Sequence, residues 1–154
     1  MVNRTAIMAA ALMMSSFTAA AEQSRITTSA DRPQIKGAPE NFIGNVRVSP
    51  WYPANEHTTS TGGLVEFEAG ARSAWHTHPA GQTLVIMSGT GWVQEEGGEK
   101  REIKPGDVVW TPPGVKHWHG ASDAEAMSHI AITNMKDGSN VAWMEHVTDD
   151  QYID

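Results

Sequence analysis

The sequence predicts an all-β domain, an antiparallel sandwich or a small barrel. Its apolar runs are short, and turns rich in glycine and proline separate them, drawing on 14 glycines and 8 prolines. No segment keeps an apolar repeat of about 3.6 residues for longer than a turn or two of helix. Short strands with turn residues between them are typical of this fold class.

Residues 1–21 are predicted to form a secretory signal peptide. Arg4 supplies a positive charge, residues 6–14 form a short apolar run, and residues 19–21 place alanines before Glu22. The apolar run is shorter than the ~20 residues that a membrane-spanning helix needs. We therefore expect cleavage, a periplasmic or secreted mature protein, and no membrane association after cleavage.

Residues 22–40 are predicted to be an extended N-terminal arm, because they are polar, contain two prolines and show no period. Residues 41–154 are predicted to form one domain. At its end, Thr148 precedes Gln151 by three residues. This is the spacing of a capping box, and it predicts a short C-terminal helix.

The first half of the domain is predicted to contain two strands joined by a loop. Residues 42–48 alternate weakly and predict a strand that ends at Pro50 and Pro53. Residues 55–63 are rich in Thr, Ser and Gly, which predicts a loop. Residues 64–68 alternate apolar and acidic side chains, which predicts the second strand.

The second half is predicted to continue as short strands. Residues 83–88 are almost entirely apolar, which predicts a strand buried on both faces. Residues 92–95 and 100–104 flank a Gly-Gly turn at 96–99 and predict a hairpin. The remaining strands are predicted at residues 108–111, 117–120, 127–133 and 141–147.

Composition restricts the classes of partner. The chain has 154 residues, enough for one domain with its own core. Its net charge of −7 argues against binding to nucleic acid or to an anionic membrane. The chain has no cysteine, which excludes disulfides, thiolate ligands and cysteine nucleophiles. A small-molecule substrate fits these limits.

Two histidine pairs are the main chemical signal. His76 and His78 form one pair, His117 and His119 the other, and Gln82 follows the first pair. Side chains at i and i+2 of a strand point to the same face, so each pair can converge on one point. A single such pair has an ordinary structural interpretation. Two pairs favour a site for a divalent transition metal.

The two clusters resemble the motifs of the cupin superfamily. Gly70-x5-His76-x-His78-x3-Gln82-x6-Gly89 resembles the first motif, with glutamine where glutamate is usual. Gly106-x5-Pro112-x-Gly114-x2-His117 resembles the second, ending at Ala121 where asparagine is usual. The resemblance implies a single-domain jelly-roll β-barrel, with the N-terminal arm and the short C-terminal helix added to it and a metal inside.

A closer resemblance is to the bacterial manganese-dependent cupin hydroxynitrile lyases, which cleave or form cyanohydrins. It covers residues 42–152 and is strongest at residues 74–84, 105–110, 116–121, 129–132 and 143–149. It implies that three histidines and a glutamine hold the metal: His76, His78, Gln82 and His117. It also implies pocket roles for His119, His129 and Ser73, the last standing where the family has threonine. The implied metal is Mn²⁺, although Fe²⁺, Ni²⁺ or Zn²⁺ fit the same donors.

The sequence leaves the role of two further histidines open and predicts the packing of several apolar residues. His119 and His129 are either catalytic or satisfied core histidines. Val65 and Phe67 are predicted to form an apolar pocket wall. The tryptophans that alternate with the histidines, Trp75, Trp110 and Trp118, are predicted to pack outside the barrel, where they could support a homodimer or a higher homo-oligomer.

Three functions therefore compete. The first is a metal-dependent carbon–carbon lyase that acts on cyanohydrins, with His129 as base and His119 as a second proton-transfer group. The second is a metal-dependent dioxygenase, since an open coordination position can bind O₂. The third is a non-catalytic periplasmic module that binds a small ligand. Only the closer resemblance ranks the lyase first.

Overall fold

The structure, a computed structural model, describes residues 23–153 of the chain. The predicted signal peptide, residues 1–21, lies outside these residues, so export stays a prediction. No helix within 23–153 is long and apolar enough to cross a membrane.

The described residues form short strands, a 3-10 turn at Ser29–Asp31 and one short α-helix, as predicted for an all-β domain. In chain order they are β1 (Ile35–Lys36), β2 (Phe42–Ile43), β3 (Val46–Tyr52), β4 (Ser60–Phe67), β5 (Arg72–Ser73), β6 (His76–Thr77), β7 (Gln82–Ser88), β8 (Gly91–Glu95), β9 (Arg101–Ile103), β10 (Val108–Thr111), β11 (His117–Ala121), β12 (Met127–Asn134), β13 (Ala142–Trp143) and α1 (Asp149–Ile153).

Two antiparallel sheets enclose the core. The first has the order β1-β3-β4-β12-β7-β10. The second has the order β13-β6-β11-β5-β2, with β8 on the other side of β11 and β9 beyond it. Buried apolar side chains from both sheets, among them Phe67, Leu84, Ile86 and Met127, fill the space between them.

The predicted first strand begins at Phe42 as expected, but it is interrupted in the middle and its end is wrong. It is split, because Gly44 adopts a φ of +80° and a Cβ there would lie 2.8 Å from Cβ of Ala71. The second piece, β3, runs through Pro50 to Tyr52 instead of ending at the proline. Pro50 is tolerated because the register between β3 and β4 shifts there, as at a bulge.

The predicted loop at residues 55–63 is also partly wrong, since β4 begins at Ser60. The polar start of β4 pairs with the end of β12, where Thr61 and Thr133 place their hydroxyl oxygens 2.8 Å apart. A cross-strand threonine pair of this kind stabilises a sheet. Turn-like composition did not prevent pairing, because a partner strand was available.

Two further strand predictions need correction. The strand β7 is not buried on both faces: Leu84 and Ile86 face the core, but Met87 is 50% exposed. The strand predicted at residues 141–147 shrinks to β13, which pairs only with the short β6. The outer face of the first sheet has no covering layer within residues 23–153, so the apolar run of β7 is half exposed.

The predicted hairpin and terminal helix are confirmed. β8 and β9 pair as a hairpin. At the start of α1, the backbone N–H of Gln151 donates to Thr148 Oγ1 at 3.2 Å, and the N–H of Thr148 donates to Gln151 Oε1 at 3.0 Å. Both bonds of a capping box are therefore present. The helix places Tyr152 against Trp118 outside the second sheet.

The three tryptophans lie outside the barrel, as predicted, but in two environments. Trp75 and Trp118 are buried in a second apolar cluster with Val147 and Tyr152. Trp110 is 55% exposed on the outer face of β10. Only Trp110 is therefore available to a partner chain.

Candidate metal centre

Four side chains from the two sheets meet at one end of the barrel. His76 on β6 lies directly opposite His117 on β11, with ring centroids 4.3 Å apart. His78 follows β6, and its ring lies 5.0 Å from that of His76. Gln82 reaches the same point from β7 in the other sheet, and all four side chains are buried. The structure thus brings together the predicted ligand set.

The backbone fixes how three of these imidazoles are protonated. Each has its Nδ1 beside a carbonyl oxygen: His76 beside Ala74 at 2.9 Å, His78 beside Asn140 at 2.6 Å, and His117 beside Val115 at 3.0 Å. A carbonyl can only accept, so each Nδ1 carries the proton and donates. The lone pair of a neutral ring is then on Nε2, which is the arrangement of histidines that ligate metals.

Burial keeps these rings neutral. Desolvation lowers the pKa of His117 to about 4, against the opposing hydrogen bond to Val115 and with a contribution from His78. Burial, and next His117, lower the pKa of His76 well below its usual value. Burial also lowers the pKa of His78. Neutral imidazole is the form that binds a metal.

Two acceptors at the centre of the site face each other. Gln82 Oε1 and His117 Nε2 lie 3.1 Å apart. Because the proton of neutral His117 is on Nδ1, its Nε2 is an acceptor, and so is the amide oxygen. In addition, Nε2 of His78 is buried without a hydrogen-bond partner. Buried acceptors without donors are costly, and a divalent cation among them removes the cost. The residues therefore fit a metal.

His119 offers an alternative third ligand. One ring nitrogen from each of His76, His117 and His119 lies within 4.8 Å of the others. However, the His119 ring is 5.9 Å from that of His117, and its Nδ1 lies 3.1 Å from His129 Nε2. Among residues 23–153 no carbonyl fixes the proton of His119, whereas carbonyls fix all three rings of the predicted set. We therefore favour His78 over His119 as the third imidazole.

His119 and His129 form a separate pair deeper in the barrel. His119 lies two residues beyond His117 on β11, and His129 faces it from β12, opposite Val65 and Ile86. His129 is 0% exposed. The two outer nitrogens of the pair, His119 Nε2 and His129 Nδ1, are buried and have no hydrogen-bond partner among the residues that the structure describes. One ring donates its N–H to the other ring. Because each neutral ring carries a single proton, one outer nitrogen is then an acceptor and the other is a donor.

Burial also lowers the pKa of both members of this pair. It brings the pKa of His129 to about 3. For His119, burial and next the facing His129 hold the pKa well below its usual value. Each ring is therefore neutral at neutral pH and able to accept one proton.

The other predicted pocket residues differ in placement. Val65 lines the cavity beside the histidines. Phe67 lies beneath them, with its ring 5.5 Å from His129 and 5.8 Å from His119, and supports the pair without lining the cavity. Ser73 is fully buried, and its Oγ accepts a bond from the backbone N–H of His119 at 3.2 Å. In this arrangement Ser73 holds the strand that carries His119.

A cavity of about 650 Å³ opens onto the centre. His76, His78, Gln82, His119 and His129 form its inner end. Its apolar walls come from the first sheet, from β2 of the second sheet and from the segment around β13: Phe42, Val48, Val65, Ala131, Val141 and Trp143. An apolar cavity with a few convergent polar groups is the usual form of a small-molecule site.

Two contributors were missed by the sequence reasoning. Asn140 orients His78 through its carbonyl, and its side-chain amide donates to Thr133 Oγ1 at 3.0 Å. The N-terminal arm lines the outer end of the cavity with Arg32 and its neighbours. Asn140 lies in a turn-like segment and the arm shows no periodicity, so neither carried a sequence signal.

The neutral histidines predict a loss of stability in acid. In the unfolded chain each titrates near pKa 6.5, but in the folded protein His117 titrates near 4. The unfolded state therefore binds more protons below about pH 6.5, and the free energy of unfolding falls there. For metal-free protein we expect His117 to contribute a loss of about 2 kcal/mol between about pH 7.5 and about pH 5, and the other buried histidines to add to that loss. Urea unfolding at both pH values measures this loss in the free energy of unfolding.

The control for this experiment is His57, whose side chain is 73% exposed. We expect His57→Gln to leave the acid-induced loss unchanged and His129→Leu to reduce it. An equal loss in wild type and His129→Leu would contradict the assignment of His129 as a buried neutral group.

Comparisons with known proteins agree on the type of domain. The cupin domain family (Cupin_2) matches residues 63–133. The chain is 56% identical over 117 residues to the (R)-mandelonitrile lyase of Granulicella tundricola, covering 76% of this chain and 89% of that protein. A cupin-like protein from Thermotoga maritima is 40% identical with a TM-score of 0.72, covering 76% of this chain and 89% of its own. A cupin-2 domain from Rhodospirillum rubrum is 20% identical with a TM-score of 0.62 and shares the fold, covering 84% of this chain and 83% of its own.

Proposed function

This chain belongs to the cupin family, and from that premise we propose that it is a metal-dependent carbon–carbon lyase that cleaves cyanohydrins to an aldehyde and HCN, or forms them. The observation that carries the proposal is the His119–His129 pair, whose two outer nitrogens are unpartnered beside a cluster of metal-type ligands. The 56% identity to a mandelonitrile lyase supports the same reaction class.

The residues that would hold the metal are His76, His78, Gln82 and His117. A bound divalent ion, for which we propose Mn²⁺, would supply Lewis acidity toward the substrate oxygen. The neutral amide of Gln82 leaves more of the ion's positive charge uncompensated than a carboxylate would.

His129 is the proton acceptor of the proposed reaction. When its Nε2–H donates to His119 Nδ1, its Nδ1 is a free acceptor at the inner end of the cavity. Nδ1 takes the proton of the cyanohydrin hydroxyl while the C–CN bond breaks and its electron pair leaves with cyanide. The carbon that loses cyanide becomes the aldehyde carbonyl.

His119 is the proton donor in the same step. In the tautomer just described it carries its proton on Nε2, the second unpartnered nitrogen. That proton passes to cyanide and gives HCN, while the proton between the rings shifts from His129 to His119. Each ring stays neutral, which burial requires. After product release, exchange with water restores the original tautomers.

The walls of the cavity suit an aldehyde with an apolar substituent. Val65 lies directly opposite His129 and pairs with Val48, Ala131 lies two residues beyond His129 on β12, and all three line the cavity. Apolar contact of this kind stabilises a bound aryl or alkyl group by about 25 cal/mol per Å² removed from water.

The test of the proposal is metal analysis of purified protein, followed by mandelonitrile cleavage on the same preparation. We expect a bound divalent metal, release of benzaldehyde and HCN, and loss of both metal and activity after chelation. Oxygen uptake without HCN release would favour a dioxygenase instead. Tight ligand binding without turnover would favour a binding module.

Gln82→Glu should bind metal more tightly and turn over more slowly. The added negative charge attracts a divalent ion more strongly but also lowers its Lewis acidity, so the substrate hydroxyl becomes harder to deprotonate. Metal affinity and kcat are measured on one preparation at fixed pH, with Gln82→Asn as a neutral control. Higher activity or loss of metal in Gln82→Glu would contradict this account of the neutral ligand.

We also propose that two copies associate through the outer face of the first sheet. On this face Glu66 of β4 pairs with Arg47 at the margin, while the neighbouring side chains of β4, β12, β7 and β10 are mainly apolar, and β10 is an edge strand. They are Leu64, Thr83, Val85, Met87, Val108, Trp110, Ile130 and Ile132. An apolar patch is complementary to itself about a two-fold axis.

Trp110→Glu should therefore shift the protein toward monomer, because it places a charge in the centre of the proposed contact. Light scattering after size-exclusion chromatography measures the mass, and Trp110→Phe is the matched apolar control. A wild-type protein that stays monomeric at high concentration would refute the dimer.

A further inference from the structure

The N-terminal arm contributes to the cavity lining but has no role in the proposed chemistry. Residues 27–33, which we call the strap, contribute Thr27, Asp31, Arg32 and Pro33 to the cavity lining. The strap faces the end of β3, where Val48, Pro50 and Trp51 line the same cavity. Three of these strap residues, Thr27, Asp31 and Pro33, are exposed whereas the histidines of the cavity are buried, so the strap lies toward the mouth of the cavity.

Local contacts shape the strap and anchor it to the barrel. Thr28 Oγ1 donates to Asp31 Oδ2 at 2.7 Å, and the N–H of Asp31 donates to the Thr28 carbonyl at 3.2 Å. These bonds close the 3-10 turn. Immediately after the strap, β1 pairs with β3, so the strap is held next to the strand that carries Trp51.

One contact joins the strap to the cavity wall. The guanidinium of Arg32 lies over the Trp51 ring, 5.0 Å from its centroid. Arg32 is half-buried, and it makes no ion pair within residues 23–153. Asp31, its neighbour, is already bonded to Thr28. A cation over an indole face is attractive, and here it is the main interaction between Arg32 and the barrel.

We propose that the strap is a specificity-determining wall, held in place by Arg32 on Trp51, that selects substrates with an aromatic or other bulky apolar group. This inference rests on the proposed lyase function and specifies its substrate class. A substrate whose reacting carbon lies at His129 must extend along the cavity to touch the strap. An aryl group gains that contact, whereas a one- or two-carbon aliphatic group cannot reach it.

The first test compares kcat/KM for mandelonitrile and for the cyanohydrin of acetaldehyde. In Arg32→Ala we expect a roughly fivefold fall for mandelonitrile, mainly through KM, and no change for the small substrate. Arg32→Lys keeps a cation and should recover part of the preference. Arg25→Ala is the matched control, because Arg25 lies in the same arm, is exposed and does not line this cavity.

The second test does not depend on activity. Because the chain has no cysteine, Thr27→Cys gives a single site in the strap for a bimane fluorophore, which a nearby tryptophan quenches, and it leaves the bond between Thr28 and Asp31 intact. We expect quenching that Trp51→Phe relieves and that Arg32→Ala weakens. Unquenched bimane in the wild-type background, insensitive to Trp51→Phe, would show that the strap is not held on β3 and would overturn the proposal.

The experiments distinguish failure of the strap proposal from failure of the lyase proposal. If mandelonitrile is turned over and its preference is unchanged in Arg32→Ala, the strap proposal is wrong and the lyase function stands. If wild-type protein turns over neither cyanohydrin, the lyase function is wrong, and the strap is judged by benzaldehyde affinity. Weaker benzaldehyde binding in Arg32→Ala then supports the wall, and unchanged binding overturns it.

Discussion

His129→Ala is expected to lower kcat for cyanohydrin cleavage by roughly 10²–10⁴-fold, the usual contribution of a positioned proton-transfer group. His129 is fully buried at the inner end of the cavity, and its Nδ1 has no partner within residues 23–153. In the described part of the chain, the other buried ring nitrogens without a partner belong to His78 and His119. Kinetics of the metal-loaded variant give the result directly.

Metal content separates this effect from a collapse of the site. His129 contacts His119 and not the predicted ligands, so His129→Ala should keep wild-type metal content. His57→Ala, at an exposed loop position, is the matched control and should keep full activity. A folded, metal-loaded His129→Ala with wild-type kcat would remove His129 from the mechanism.

His78→Ala and His119→Ala are expected to differ sharply, and the pair decides between the two possible ligand sets. His78→Ala should weaken metal binding by more than roughly 100-fold, because it removes an imidazole whose Nε2 lone pair is fixed toward the centre. His119→Ala should keep metal affinity within about tenfold while lowering kcat by about 10², because it removes the proposed proton donor.

Isothermal titration calorimetry of the metal-free variants with Mn²⁺ measures the metal affinities of His78→Ala and His119→Ala. His76→Ala and His117→Ala serve as positive controls, since both ligand sets include these residues. The opposite pattern, with metal retained in His78→Ala and lost in His119→Ala, would establish His76, His117 and His119 as the ligands.

Several features of the site followed from local sequence. The same-face placement of His76 with His78, and of His117 with His119, depends only on the two-residue period of a strand. The capping box at Thr148 and the hairpin of β8 and β9 are likewise set by residues close together in the chain. The motif resemblance added Gln82 to this set. Local backbone geometry and a recognisable spacing were sufficient for these predictions.

Strand ends and burial did not follow from local sequence. Pro50 and the polar start of β4 are in strands because neighbouring strands supply their partners. Met87 is exposed because nothing within residues 23–153 covers the outer face of β7. Each of these outcomes depends on which segments pair across long sequence distances, and composition carries little information about that pairing.

By itself, the sequence determined which residues can converge: the histidine pairs and Gln82, placed on one face of short strands. Only the tertiary structure decided what they converge with. Pairing of β6 with β11 sets His76 against His117, and closure of the two sheets brings in Gln82 and joins His129 to His119. The arm became part of the cavity in the same way, through β1 on β3 and Arg32 on Trp51. The physical reason is that side-chain direction along a strand is a local property of the backbone, whereas the meeting of two strands depends on the packing of the whole domain.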